Sequence, residues 1–179
     1  MPDLRLAALA AHRFGFGPRP GELRVIANDP RGWVKGQLGG EAQLPPAIAA
    51  LPAAEDDLLA FGRWLAQRRL RAGNTEQLER RAERQGVSHE DLRRLSIEEE
   101  FVETFRERVS RAVNARMEAA IASDRPVHER MVHFWSNHFT VSAAKPGVIA
   151  LPPSFEKDAI RPHVGRRFAD MLLASCKHP

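Results

Sequence analysis

A run of apolar side chains spaced three and four residues apart restricts this chain more than any other feature of its sequence. Its members are Ile97, Phe101, Phe105, Val109, Ala112, Val113, Met117 and Ala120. Such spacing places them on one face of an α-helix, which has to be buried against other elements. Ser96 and Glu99 have the spacing of a capping box and predict where this helix begins. We therefore expect a central helix over about residues 97–122, roughly 39 Å long at 1.5 Å per residue.

Proline, glycine and capping residues divide the rest of the chain into further helices. Asp29 and Pro30 form a typical helix start, Ser154 is a candidate cap, and Pro162 should bend or end the helix that follows. The predicted helices cover about residues 4–13, 20–27, 30–38, 55–72, 75–85, 125–138, 155–162 and 166–177. This pattern predicts an all-α protein, an irregular multi-helix bundle around the central helix.

Two stretches rich in proline and glycine interrupt the helices. Residues 39–54 contain Gly39-Gly40, the pair Pro45-Pro46 and the single Pro52, and this composition predicts an internal linker. Residues 139–154 contain further prolines and predict a long loop. With 179 residues the chain is long enough for one core, so we expect residues 1–179 to form a single helical domain.

The net charge of +4 at first suggests an anionic partner such as nucleic acid. Of the 27 basic residues only four are lysines and 23 are arginines, most of them interleaved with acidic residues. Mixed charges along a helix are typical of a solvated face with salt bridges. The sequence therefore argues against a nucleic-acid interface.

Nothing in the sequence indicates a membrane span, because no run of 18 apolar residues occurs. The first residues also lack the basic start and apolar stretch of a signal peptide. On these grounds we expect a cytoplasmic protein.

Three histidines on the predicted helix 125–138 resemble a zinc-binding pattern at first sight. His128, His133 and His138 are five residues apart, so neighbouring imidazoles point about 140° apart around a helix. A zinc protease needs a spacing of four. Motifs for dinucleotides, phosphate loops and serine hydrolases are absent too, so neither a metal nor a cofactor is predicted.

Two groups of residues are candidates for a binding site. The first group is Trp135, Asn137 and His138, where a helix gives way to a long loop, which is a common place for function. The alternative is a core helix in which His138 is structural and Glu129 pairs with His133 on the surface.

The second candidate group is Glu156, Arg161 and His163. The planar guanidinium of Arg161 suits a carboxylate or a phosphate. The alternative is an ordinary helix end with basic side chains near its last carbonyls.

Three sequence blocks resemble the bacterial domain-of-unknown-function 1800 family. They are His12-Arg13-Phe14-Gly15-Phe16-Gly17, the block from Arg130 to Phe139 with its Phe-Trp-x-Asn-His-Phe core, and the block from Phe155 to His163 that continues through Phe168, Leu172-Leu173 and Lys177-His178-Pro179. Members are usually longer, so the resemblance implies that this chain corresponds to the N-terminal portion of such a protein, a truncated fragment. Many members look exported, which makes the periplasm the alternative compartment. The family has no agreed activity.

The sequence leaves two classes of function open. One is a ligand-binding or enzymatic domain whose pocket joins the two candidate groups to residues beyond this chain. The other is a non-catalytic structural or partner-binding helical module. A fragment that lacks part of its core would also expose an apolar face and self-associate.

Overall fold

The computed structural model describes residues 2–39, 43–71, 80, 83–84, 86, 88–139 and 151–178, with side chains except at 67–71, 89–102 and 104. All regular structure in these ranges is helical, which confirms the predicted all-α class. The helices are α1 (Leu4–Phe14), α2 (Glu22–Ile26), α3 (Pro30–Gly36), α4 (Pro46–Ala49), α5 (Ala54–Arg71), α6 (His89–Ala122), α7 (Pro126–His138), α8 (Pro152–Phe155) and α9 (Phe168–Lys177). A π-helical turn (Glu156–Ile160) and a 3-10 turn (Arg161–His163) continue α8 directly. Within the described ranges, none of the helices combines the length and the apolar character that crossing a membrane requires.

Two of the predicted helix starts are made by aspartate caps. The Asp3 carboxylate accepts a hydrogen bond from Leu6 N at 2.9 Å at the start of α1. The Asp29 carboxylate accepts one from Gly32 N at 2.8 Å, and Pro30 occupies the first position of α3. Each cap satisfies an amide that the helix itself leaves without a partner.

The longest helix begins well before the predicted capping box. Helix α6 starts at His89 and passes through Ser96, so the predicted start near residue 97 is wrong. The stretch 89–95 contains neither glycine nor proline, and nothing in it opposes helix formation. Its 34 residues span about 51 Å. The predicted helix over residues 75–85 falls largely outside the described residues.

The buried face of α6 differs from the predicted one. Phe105 is only 2% exposed and Ala112 is buried, as predicted, but Val113 and Met117 are each more than half exposed. Ala115 and Ala119 take their place in the core, where the small side chains let α4 approach closely. The side chains of Ile97 and Phe101 lie outside the described set.

The apolar core is divided into several clusters. Helices α1 to α3 share one, α4 packs on α6 in a second, and Trp64 of α5 meets Phe105 in a third. A fourth joins α7, the segment from α8 through the 3-10 turn, and α9, with Val132 and Ile160 fully inaccessible to solvent. This fourth cluster supports the candidate site.

Three arginines hold distant helices together by binding their carbonyl ends. Arg130 of α7 donates to the carbonyl oxygens of His12 and Gly15, at the end of α1. In the same way Arg125 binds the end of α3 and Arg19 binds the end of α6. The carbonyl end of a helix carries partial negative charge, which favours cations there. These arginines therefore have structural partners within the chain.

The two predicted interruptions both contain short helices. Helix α4 lies within the predicted linker 39–54 and buries Ile48 against α6, while the division of the chain into domains stays a prediction. Helix α8 begins at Pro152, inside the predicted loop, most of which lies outside the described residues. Ser154 is therefore not a cap. It is fully buried in α8, and its hydroxyl donates to Leu151 O at 2.9 Å.

Candidate functional site

Helix α7 carries a row of polar side chains on its buried side. Glu129, His133 and Ser136 follow one another at spacings of four and three, so they share one face of the helix. Glu129 is only 2% exposed. The interpretation of Glu129 and His133 as a surface pair is wrong, because this face packs against α6 and the π-helical turn.

The π-helical turn brings Glu156 and Arg161 together. In an α-helix, residues five apart point about 140° apart. Here the Arg161 amide donates to Glu156 O, the i to i+5 bond that defines a π-helix, so the two side chains emerge on the same side. Pro162 has no amide hydrogen and cannot continue an α-helix, and the segment ends at His163 as predicted.

Two arginines and two glutamates form a chain of ion pairs that links α6, α7 and the π-helical turn. Arg161 Nη1 donates to Glu129 Oε1 at 2.9 Å. Its Nε and Nη2 donate to Glu156 Oε1 at 3.1 and 2.9 Å. Glu156 Oε2 accepts from the Ser136 hydroxyl at 3.1 Å and lies 2.9 Å from Arg116 Nε. We call Arg116, Glu129, Glu156 and Arg161 the ion-pair network.

The ion-pair network has balanced charge but incomplete hydrogen bonding. Moving charges out of water is costly unless partners satisfy their remaining hydrogen-bonding groups. Glu129 Oε2 is buried, and it has no hydrogen-bond partner among the described residues. Such orphaned atoms are rare in folded proteins, so Glu129 Oε2 has capacity to accept a hydrogen bond from a water molecule or a bound group. This network is therefore the centre of the candidate site.

Two neutral histidines flank the ion-pair network. Burial lowers the pKa of His128, and the nearby charge of Arg125 lowers it further. Burial also lowers the pKa of His133, followed by the charge of Arg116. Within the described structure, His128 Nδ1 and His133 Nε2 are buried without a hydrogen-bond partner. A neutral imidazole offers one donor and one acceptor, so each ring keeps hydrogen-bonding capacity in reserve.

Two cavities meet the ion-pair network at different members. The first, which we call the polar cleft, has a volume of about 510 Å³ and is lined by Gln43, Leu44, Pro45, His128, Lys157, Asp158, Arg161, Pro162, Val164 and Arg166. The second, the apolar groove, has a volume of about 270 Å³ and is lined by Ile48, Leu51, Val109, Ala112, Val113, Arg116, Pro152, Pro153 and Glu156. The network thus contributes Arg161 to one cavity and the Arg116–Glu156 pair to the other.

The six residues predicted from the sequence fall in different places. Glu156 and Arg161 are joined in the ion-pair network. Trp135 and His138 belong to an aromatic cluster, in which the Trp135 ring lies 5.5 Å from both the His138 and the Phe168 rings.

The other two predicted residues lie at the end of α7 and in the 3-10 turn. Asn137 is exposed at the end of α7, as His138 is. His163 is half-buried in the 3-10 turn, where its carbonyl accepts from Arg166 N at 3.0 Å. Of the six, only Arg161 is among the described residues that line the polar cleft, and only Glu156 lines the apolar groove. A site shared by all six stays a prediction.

Sequence reasoning missed Glu129, His128 and Arg116. The spacing of Glu129, His133 and Ser136 was a usable signal, since it marks one helix face that contains no lysine or arginine. Arg116 gave no such signal, being one of 23 arginines. In the part of the chain that the structure describes, no group of three or more His, Cys, Asp or Glu side chains is arranged to hold a metal ion.

Comparison with known proteins places the site inside a recognised family. A family model described as "Protein of unknown function (DUF1800)" matches residues 9–179, nearly the whole chain. No curated protein and no solved structure gives a significant match. The matched region includes all of α7, the π-helical turn and both cavities. The chain therefore belongs to the DUF1800 family.

Proposed function

We propose that this chain is a ligand-binding domain whose polar cleft binds a small oxyanion, a carboxylate or a phosphate group. The observation that carries the proposal is the lining of the cleft. Lys157, Arg161 and Arg166 supply three cations, and Asp158 is the one carboxylate among the described lining residues. Arginine and lysine recognise oxyanions through charge-assisted hydrogen bonds. A volume of about 510 Å³ also lies within the usual range for small-molecule sites.

His128 adds a directional group to this cleft. Its side chain is 96% buried, lines the cleft and is neutral near pH 7, because burial lowers its pKa. Its Nδ1 lacks a partner among the described residues. A hydrogen bond between a ligand and this ring would replace the hydrogen bond to water that the ring loses on burial.

Arg161 is held in place before any ligand arrives. Its three hydrogen bonds to Glu129 and Glu156 occupy three of its five N–H groups. A side chain that is already ordered loses little entropy on binding. Lys157 is also anchored, since its Nζ donates to Leu51 O at 3.0 Å and to Pro52 O at 3.4 Å and keeps one further N–H. A ligand therefore meets two positioned cations, Lys157 and Arg161, in a cleft that Asp158 also lines.

The test is calorimetric titration of the full chain with sodium phosphate and with sodium acetate at low ionic strength. We expect K157M and R166Q each to weaken the preferred anion about tenfold or more, the usual effect of losing a charge-assisted hydrogen bond. R111Q is the matched control, because Arg111 lies exposed on α6 and pairs with Glu107. Equal affinity in all three variants would contradict the proposal. The two anions separate a phosphate site from a carboxylate site.

A second function, that of a partner-binding helical module, is favoured by the exposed aromatic surface at the end of α7. Phe134, Phe168 and Leu172 are each more than 40% exposed, and Trp135 connects the first two. Exposed apolar patches of this kind are common at protein interfaces. Sedimentation velocity tests this second function through self-association. Self-association that disappears in F134S/F168S supports it, whereas a monomer at all concentrations argues against self-association.

A further inference from the structure

The apolar groove combines an aliphatic lining with one charged pair. Most of its lining is contributed by aliphatic side chains and prolines, and the exceptions are Arg116 and Glu156. An apolar pocket with a few placed polar groups is the usual form of a small-molecule site, in which the polar groups fix the orientation of the ligand. The chemistry of the pair therefore decides what the groove accepts.

Most of the hydrogen-bonding capacity of Glu156 is already used within the ion-pair network. A carboxylate offers about four lone-pair positions. Its Oε1 accepts two hydrogen bonds from Arg161, and its Oε2 accepts from Ser136 and faces Arg116 Nε at 2.9 Å. A cationic ligand in the groove would find three of these positions occupied and would be repelled by the Arg116 guanidinium beside the fourth.

Arg116 has the opposite character. Its described contact is the ion pair with Glu156 through Nε, which leaves the four N–H groups of its two terminal nitrogens without a described partner. Nε itself is buried, yet about a third of the side chain is exposed, so that exposure lies on other atoms of the residue. The charged pair thus presents mainly donors to the groove.

We propose that the apolar groove binds a small amphipathic carboxylate, with the apolar body between α4, α6 and α8 and the carboxylate on Arg116. The guanidinium fork matches a carboxylate in a bidentate arrangement. The volume of about 270 Å³ lies just below the usual range for drug-sized ligands, which selects a short aliphatic acid. This site is separate from the polar cleft and does not depend on the anion proposed there.

The test uses octanoate, 1-octanol and octylamine as probes of one apolar chain with three different ends. Amide chemical shifts of the full chain are followed by NMR during each titration. Octanoate should bind about tenfold or more tightly than 1-octanol, with the largest shifts at residues 109–113. Octylamine should bind most weakly. Equal affinities for octanoate and 1-octanol, or a preference for octylamine, would overturn the proposal.

Two variants separate the head group from the groove. R116Q should remove the preference for octanoate over 1-octanol, whereas R111Q on the same helix should keep it. V113W should block all three probes, because Val113 lines the groove from its more exposed side. I121W is its control, since Ile121 is 71% exposed on α6 and is not among the described lining residues. If R116Q fails to fold, the affinities of the three probes for the parent chain and for V113W test the proposal. An unchanged affinity of V113W for octanoate would overturn the site.

Discussion

Both Nε and Nη2 of Arg161 donate to the same oxygen of Glu156, at 3.1 and 2.9 Å. The third nitrogen of this guanidinium binds Glu129, so one buried cation holds two buried carboxylates. A buried charge whose partner is removed is far less stable than a buried pair. The stability of the fold around α7 therefore depends on Arg161.

The first prediction concerns this dependence. R161M should lower the free energy of unfolding by about 3–5 kcal/mol, because it leaves Glu129 and Glu156 buried without their shared partner. Urea denaturation followed by circular dichroism measures the change. The triple variant R161M/E129Q/E156Q should regain part of the loss, since both uncompensated charges are gone. A triple variant that is less stable than R161M would contradict the electrostatic explanation.

The second prediction is that stability falls in mildly acidic solution. The pKa values of His128 and His133 are both lowered in the folded protein, chiefly by burial. As the pH drops below the ordinary histidine value of about 6.5, the unfolded chain binds protons before the folded one does. The stabilisation is complete above pH 6.5 and is lost as the pH falls through the lowered pKa values. Each histidine lowers the free energy of unfolding by up to about 1.4 kcal/mol for each pH unit of this fall.

Urea titrations between pH 7.5 and pH 5.5 test this pH dependence. The H128Q/H133Q variant should have a flatter stability profile than the parent chain. H12Q, which removes an exposed histidine of α1, is the control. An identical slope in the double variant and the parent would show that other groups cause the loss.

The third prediction concerns Gly165, which separates the 3-10 turn from α9. Its φ is +76°, and a Cβ atom there would lie 2.2 Å from the carbonyl oxygen of Leu38. G165A therefore adds a backbone clash to an unfavourable conformation. We expect it to lower the free energy of unfolding several times more than G21A does. Gly21 has a similar φ of +82° with open space around it, so G21A reports the conformational cost of about 1 kcal/mol alone. Equal thermal shifts for the two variants would mean that the close approach to Leu38 does not matter.

The fourth prediction concerns the arginine that binds the end of α1. R130Q should lower the free energy of unfolding by about 1.5–3 kcal/mol, the range for hydrogen bonds to charged groups. R111Q removes an exposed i to i+4 ion pair and should change it by less than about 1 kcal/mol. Chemical denaturation of both variants checks the difference. Similar small losses in both would indicate that water replaces Arg130 at these carbonyls without cost.

Much of the helix plan could be read from local residue chemistry. Asp3, Asp29 and Pro30 determine helix starts through backbone geometry and single hydrogen bonds, which depend on neighbours in sequence. Pro162 ends its helical segment for the same local reason. Ser96 shows the limit of this reasoning, because a cap is effective only where the preceding residues leave the helix, and residues 89–95 do not.

The candidate site depended on information that local patterns do not contain. Whether the polar face of α7 meets water or protein is decided by how α6 and the π-helical turn pack against it, which the sequence of α7 does not contain. The pairing of Glu156 with Arg161 requires a wider helical turn, and a spacing of five in an α-helix would have separated them. Similarly, Val113 and Met117 fit the apolar period of α6 but lie on the side that α4 leaves uncovered.

The arginines that bind helix ends also set an order of events during synthesis on the ribosome. Helices α1 to α3 can associate early, but the groups that bind their final carbonyls follow 118 residues later for His12 and 88 residues later for Gln37. At 5–20 residues per second, the longer interval takes about 6–24 s. Until α7 emerges from the ribosome, the carbonyl ends of α1 and α3 are hydrated, so the N-terminal part of the nascent chain reaches its final form only after most of the chain has been made.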